Sequence, residues 1–161
     1  MNAQLVLFTL DDQRYALALS SVERVARIVE ITPLPGAPAV VLGVINVQGS
    51  IIAVYDPRKR FGLPRREIRL SDQLIIARTS RRQAALVADA VTGVLEVAPD
   101  KIIAADRILN GIERVRGIVR LADGLVLIHD LEQFLSPEEE RSLSAAVHEF
   151  QRTGEALTRN G

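Results

Sequence analysis

The 161-residue sequence predicts a mainly β protein, two small packed β units closed by a C-terminal helix. Three observations carry this: short β-branched runs recur between turn residues, one half of the chain repeats the other, and a strong helix start follows residue 135. Hydrophobic residues make up 48% and aromatics 4%, which suits a core of Val, Ile and Leu and leaves few platforms for stacking bases.

Strands are expected at Leu5–Leu10, Arg14–Leu19, Val40–Val47, Ser50–Tyr55, Leu74–Arg78, Ala84–Ala88, Ile118–Leu121 and Leu125–His129. Asp11-Asp12-Gln13, Gln48-Gly49, Ser80-Arg81-Arg82 and Ala122-Asp123-Gly124 are the expected hairpin loops. Pro33, Pro35 and Pro38 confine residues 33–38 to a surface connector. Ser20 with Glu23, and Asp89 with Thr92, place two N-cap candidates after the first hairpin of each half, predicting short helical turns there. Ser136-Pro137-Glu138-Glu139 then reads as an N-cap, a first-turn proline and a capping-box glutamate. Leu143, Ala146, Val147 and Phe150 form one apolar stripe, so a helix over 136–152 is expected to dock on the β units, with 153–161 frayed.

The duplication has no gaps within its two blocks. Leu5–Ile28 lies on Leu74–Val97 at an offset of 69, and Gly43–Phe61 lies on Gly117–Leu135 at an offset of 74. Two copies are too few for a solenoid. Two facing units fit, with boundaries expected at 4–70 and 71–135 inside a single domain spanning 1–161.

Several chemistries drop out. There is no Cys, so thiol nucleophiles and Cys-ligated metals are excluded, and the two histidines, His129 and His148, stand 19 residues apart without a carboxylate cluster. Asp56 and Asp130 occupy equivalent positions after equivalent strands, so each reads as a local turn acid and not as half of a catalytic pair. GVINVQG lacks the order of a P-loop or a dinucleotide turn. No catalytic residue, metal or cofactor is expected. The N-terminus lacks a basic flank and no apolar run approaches membrane-spanning length, which predicts a cytoplasmic chain with no membrane insertion.

Twenty basic and twenty acidic residues cancel, yet they are segregated. Residues 56–82 carry +6 and residues 130–149 carry −5, a pattern that suits oppositely signed faces turned toward different partners. Within the first segment, Arg58, Lys59, Arg60, Arg65 and Arg66 form a possible electrostatic interface. They also support the alternative reading, a small-barrel nucleic-acid-binding protein using loop 58–66. The absence of a second basic cluster or a stacking set disfavours nucleic acid.

The order of these pieces resembles the CheW family of chemotaxis coupling proteins. The resemblance rests on LVLFTLDDQRYALALSSVERV, TPLPGAPAVVLGVINVQGSIIAVYDPRKRFGL and ALVADAVTGVLEV, and most specifically on Gly43-Val44-Ile45-Asn46 followed by Gly49 and Asp56. It implies two five-stranded β-barrels facing each other across a hydrophobic groove. It also implies a non-catalytic adaptor joining chemoreceptor cytoplasmic tips to the regulatory domain of the histidine kinase CheA, cytoplasmic and recruited to membrane receptor arrays, with no small-molecule substrate. Carried over by position, Val22, Arg24, Gly43, Asn46, Gln48 and Leu74 fall in the receptor-binding groove. On that reading Gly43 permits close approach of a partner, Val22 and Leu74 desolvate on contact, and Gly43→Asp lowers coupling with modest loss of folding. Gln48 stands where the family usually has Arg, and Arg24 where it usually has an acid. These two exchanges predict a specialised array or an altered partner set.

Overall fold

The computed structural model describes residues 2–104 and 115–160. Among the described residues eleven strands run β1 (Ala3–Leu10), β2 (Gln13–Ala18), β3 (Val22–Arg27), β4 (Val41–Val47), β5 (Ser50–Tyr55), β6 (Gln73–Arg78), β7 (Gln83–Ala88), β8 (Ala90–Val97), β9 (Ile102–Ala104), β10 (Val115–Leu121) and β11 (Gly124–His129). Helices α1 (Pro57–Arg60) and α2 (Pro137–Asn160) follow β5 and β11, the second after a 3-10 turn at Leu131–Gln133.

All eight strands expected from the sequence form, within three residues at their ends. β3, β8 and β9 were not foreseen. A short helical turn does form at Ser20, as the 3-10 turn Leu19–Ser21, but it has no side-chain cap and β3 follows it at once. β8 replaces the turn expected at Asp89, whose backbone N–H donates to Thr9 O at 2.9 Å and leads the chain straight into the strand. Both strands are largely exposed and pair on one side only, and Val97 is their one buried residue, so neither shows the run of buried apolar positions that marks the other strands.

The strands form a six-stranded sheet, β8-β1-β2-β11-β10-β9, and a five-stranded sheet, β3-β6-β7-β5-β4. The additional member relative to the expected five and five is the three-residue β9. This order corrects the division at residue 70. Each half sends its first hairpin to one sheet and its later strands to the other, where β2 pairs in parallel with β11 and β7 with β5. The six-stranded sheet therefore combines residues 3–18 with strands from the second half, and the five-stranded sheet combines residues 22–55 with β6 and β7. A linear duplication cannot reveal such an exchange, because equivalent strands pair equally well within a copy and between copies.

The exchange is recorded in the packing. β5, β6 and β7 are buried on both faces, and their side chains alternate between two cores. Ile52, Val54, Leu74, Ile76, Ala85 and Val87 fill the inside of the five-stranded sheet, whereas Ala53, Tyr55, Ile75, Ala77, Ala84 and Leu86 face the other sheet. A third cluster, with Leu5, Ala16, Val119, Val126 and Ile128, fills the inside of the six-stranded sheet. The inter-sheet core takes Phe8, Leu10, Tyr15 and Leu17 from the first hairpin and Phe134 and Leu135 from the approach to α2.

α2 docks as its apolar stripe implies, with Leu143 and Ala146 buried in the inter-sheet core and Val147 and Phe150 against it. Its capping box is complete: the backbone N–H of Glu139 donates to Ser136 Oγ at 3.1 Å, and that of Ser136 donates to Glu139 Oε1 at 2.8 Å. The helix continues through Gly154 to Asn160, which corrects the frayed tail expected from 153. Glycine inside a helix costs only about 1 kcal/mol relative to Ala, and Glu155, Ala156 and Leu157 are strong helix formers. Ser136→Ala removes an N-cap acceptor and is expected to lower stability by about 1 kcal/mol, measured by urea unfolding.

Candidate partner-binding site

The residues assigned to a receptor groove separate into two groups. Asn46 and Gln48 lie on the β4–β5 hairpin, whose turn residues Gln48 and Gly49 both have positive φ, 51° and 88°. A two-residue turn of this hand matches strand twist and suits glycine at its second position. Asn46 Oδ1 accepts from the backbone N–H of Gly49 at 2.9 Å and so braces the turn, leaving both side chains exposed. Val22 and Arg24 lie on β3, the opposite edge of the same sheet. Arg24 is exposed, and Val22 is half-buried at the margin of the inter-sheet core with Ile51, the cross-strand partner of Asn46. Beside them Glu23 accepts from Arg78 Nε at 3.3 Å and from Gln83 Nε2 at 3.0 Å.

Leu74 and Gly43 belong to the interior. Leu74 is 0% exposed in the core of the five-stranded sheet, and it pairs with Ala26 whereas Val22 pairs with Ala77. It therefore has no surface to offer a partner, which corrects its place in the groove. A Cβ on Gly43 would stand 2.2 Å from Thr32 O, so the close approach it permits is that of its own chain. Thr32 and Val44 exchange backbone hydrogen bonds across this contact, both 2.8 Å. The strand register also shifts there, between Val41 and Gly43, and it shifts at the equivalent place in the second half, between Val115 and Gly117.

The basic segment is largely consumed within the fold. Arg58 is buried, and its Nη2 donates to Asp11 Oδ1 at 2.7 Å and to Asp89 Oδ2 at 2.9 Å, while Nη1 donates to Pro64 O. Arg66 pairs with Asp89 and, at 2.8 Å, with the buried Asp72. Burial pulls the Arg58 guanidinium down, but its bonds to Asp11 and Asp89 outweigh this and raise it. The bond to Asp72 leads in raising Arg66 further. For Asp89, burial raises the carboxyl, yet Arg58, the Asp11 N–H and Arg66 together hold it below the usual carboxylate range. Arg60 pairs with Glu139 at 2.5 Å and Arg82 with Glu140 at 2.8 Å, so cations of 56–82 neutralise acids of the helix start. The two oppositely charged segments expected from the sequence therefore meet inside the fold through these two ion pairs. Of the five candidate cations, Lys59 and Arg65 remain exposed. Phosphate contact by loop 58–66 loses three of its five cations to internal carboxylates.

Asp11, Asp72 and Asp89 were missed as site-forming residues. The duplication held one usable signal. Arg58 and Glu132 are equivalent, as are Asp11 and Ser80, and Glu132 accepts from Ser80 N at 2.6 Å and Ser80 Oγ at 2.8 Å. Each half thus ties its first hairpin turn, in one sheet, to the turn following its last strand, with the donor and acceptor sides exchanged between the copies. Asp56 and Asp130 cap the same two turns through the N–H groups of Arg58 and Glu132, both 3.1 Å, as their equivalence indicates. His129 is buried with its ring edge against Phe61 and Phe134. Among the described residues no group of three His, Cys, Asp or Glu side chains has metal-binding geometry, and no helix is long and apolar enough to cross a membrane.

A duplicated, interlocked pair of β-sheets with a docked C-terminal helix defines a scaffold-type β domain. The CheW-like domain family model matches residues 4–139, and the chain belongs to that family. It is 30% identical over 140 residues to a chemotaxis protein CheW of Rhizobium meliloti (strain 1021), covering 86% of this chain and 90% of that protein. It is 26% identical over 132 residues to the CheW of Thermotoga maritima, covering 82% and 87%. The crystal structure of the scaffolding protein TtCheW from Thermoanaerobacter tengcongensis superposes with a TM-score of 0.79 at 29% identity, covering 86% of this chain and 96% of that one.

Proposed function

We propose that this chain is a non-catalytic chemosensory adaptor that couples the cytoplasmic tips of chemoreceptors to the regulatory domain of the histidine kinase CheA at membrane receptor arrays. The observation that carries the reading is the extent of the family match, which spans both sheets and the start of α2 and is shared by relatives named for chemotaxis and for scaffolding. In this reading the receptor-facing residues are Val22, Arg24, Asn46 and Gln48, the members of the sequence-derived set that reach the surface. Capture by immobilised CheA regulatory domain and by a receptor-tip fragment tests it. Failure to bind either, under conditions where another family member binds both, overturns it.

Arg24 and Gln48 set partner preference through charge. Exposed charge pairs are worth up to about 1 kcal/mol, roughly fivefold in affinity. Arg24→Glu with Gln48→Arg is expected to raise affinity for receptor tips that the family's usual charge pattern recognises, and to lower it for this chain's own receptor. Calorimetric titration against both tips reads the exchange, and equal affinities for the parent and the double variant refute the assignment.

A further inference from the structure

Residues 66–72 form a loop closed on itself. Arg66 spans Asp72 with two guanidinium nitrogens, at 2.8 and 3.2 Å, and the backbone N–H of Arg69 donates to Asp72 Oδ2 at 2.8 Å. The backbone N–H of Asp72 donates to Arg69 O at 3.0 Å, and Asp72 itself is 3% exposed. This fixed frame holds Leu70 91% exposed and Ile68 41% exposed, with Arg69 exposed between them. Single exposed leucines are common, but this one is presented by a buried carboxylate with three donors.

Immediately before the loop, Arg65 borders a cleft of about 210 Å³ whose apolar lining is Ala39, Leu42 and Leu63, with Lys59 on its rim. That volume is below the roughly 300 Å³ at which small-molecule sites begin, and it suits one apolar side chain of a larger partner. Two acids of this region are engaged internally: Asp56 caps α1, and Asp72 is held by Arg66. Lys59, Arg65 and Arg69 are exposed against the single acid Glu67. The loop enters β6 where Gln73 faces Arg27, the end of the sheet away from Val22.

We infer that the Leu70 loop and the adjoining Arg65 cleft form a second docking surface, for an acidic segment of a partner protein that carries an apolar anchor residue among its carboxylates. The anchor fills the Ala39–Leu42–Leu63 cleft, the exposed Leu70 and Ile68 of the following loop add apolar contact with the partner, and Lys59, Arg65 and Arg69 face the carboxylates. Specificity comes from pairing a desolvated apolar contact with a rim of complementary charge.

The test uses the full-length chain and three labelled twelve-residue peptides, alternating Leu with Glu, with Gln or with Lys. In fluorescence anisotropy at low salt the Leu/Glu peptide is expected to bind at least tenfold more tightly than the other two. That preference is expected to disappear in Arg65→Glu/Arg69→Glu, and binding is expected to weaken at least tenfold in Leu70→Ser. These side chains are exposed, and circular dichroism confirms that each variant is folded. Three results overturn the inference: no preference for the Leu/Glu peptide, binding that survives both variants, or a Leu70-dependent association with anionic lipid vesicles or with a second copy of the chain in place of peptide binding. Kinase-domain and receptor capture by the same variants reports on the adaptor reading separately.

Discussion

Gly43→Ala is expected to lose about 3 to 5 kcal/mol of stability, and Gly43→Asp is expected to leave little folded protein at all. The added Cβ meets a backbone oxygen, Thr32 O, at 2.2 Å, and a backbone atom cannot swing aside as a side chain does. Relief requires the 31–33 segment to move off β4. That costs the two hydrogen bonds between Thr32 and Val44, worth about 1 kcal/mol each, on top of the 1 to 3 kcal/mol typical of overpacking. Such a loss is a large share of the 5 to 15 kcal/mol that folds a typical domain. The equivalent Gly117→Ala meets Ile102 Cγ2 at 2.8 Å and Ile103 O at 3.2 Å, both longer than the 2.2 Å contact at Gly43, so its cost is expected to be smaller, about 1 to 2 kcal/mol. Urea unfolding of both variants checks the order. A Gly43→Ala protein within 1 kcal/mol of the parent would refute the structural role. This outcome replaces the expectation that Gly43→Asp is a coupling variant with a sound fold: its coupling falls because the sheet fails.

The second large effect is expected at Arg58. Arg58→Ala takes from Asp11 and Asp89 their shared cation at the junction of the two sheets; Asp89 keeps Arg66 and Asp11 is exposed, so the cost is expected to lie between those of an exposed and a fully buried pair, about 2 kcal/mol. A loss below about 0.5 kcal/mol, the size of an ordinary surface substitution, would show that the cluster does not hold the sheets. The cluster also sets an acid dependence. Asp89 titrates below the usual range because its bonds to the two arginines and the Asp11 N–H overcome burial, and Glu139 does so because its bonds to Ser136 N–H and Arg60 overcome burial. A carboxyl that is lowered in the folded state takes up its proton first in the unfolded state. Its stabilisation is complete above the unfolded value of about 4 and is lost as pH falls through the lower folded value. Unfolding free energy is therefore expected to hold between pH 7 and 5 and to decline below about 4, with a shallower decline in Asp89→Asn. A pH profile that is identical in the parent and Asp89→Asn would contradict this coupling.

The legible features of the fold were those written in local pattern. β1, β2, β4–β7, β10 and β11 announce themselves because their side chains face a core on at least one side, and α2 does so through its cap and stripe. β3 and β8 were hidden because edge strands need no apolar alternation to hold their hydrogen bonds. Gln48-Gly49 was legible as a hairpin turn because a two-residue turn restricts its residue types, whereas Leu74 and Gly43, expected in the groove, lie in the interior. An apolar residue in a core and one on a contact surface look alike in sequence, and a glycine does not say which backbone approaches it.

The sequence alone determined the duplication, eight of the strands, the helix and, through its motifs, the family. It also recorded a charge balance of twenty against twenty without showing what balances what. Only the tertiary structure decided that the halves exchange hairpins, that Leu74 is interior, and that Arg58, Arg60, Arg66 and Arg82 face internal carboxylates. The reason is one of range. Turn chemistry, caps and periodicity act over a few residues, whereas Arg58 meets Asp11 across 47 residues and Arg60 meets Glu139 across 79, and such pairings exist only once the sheets have closed.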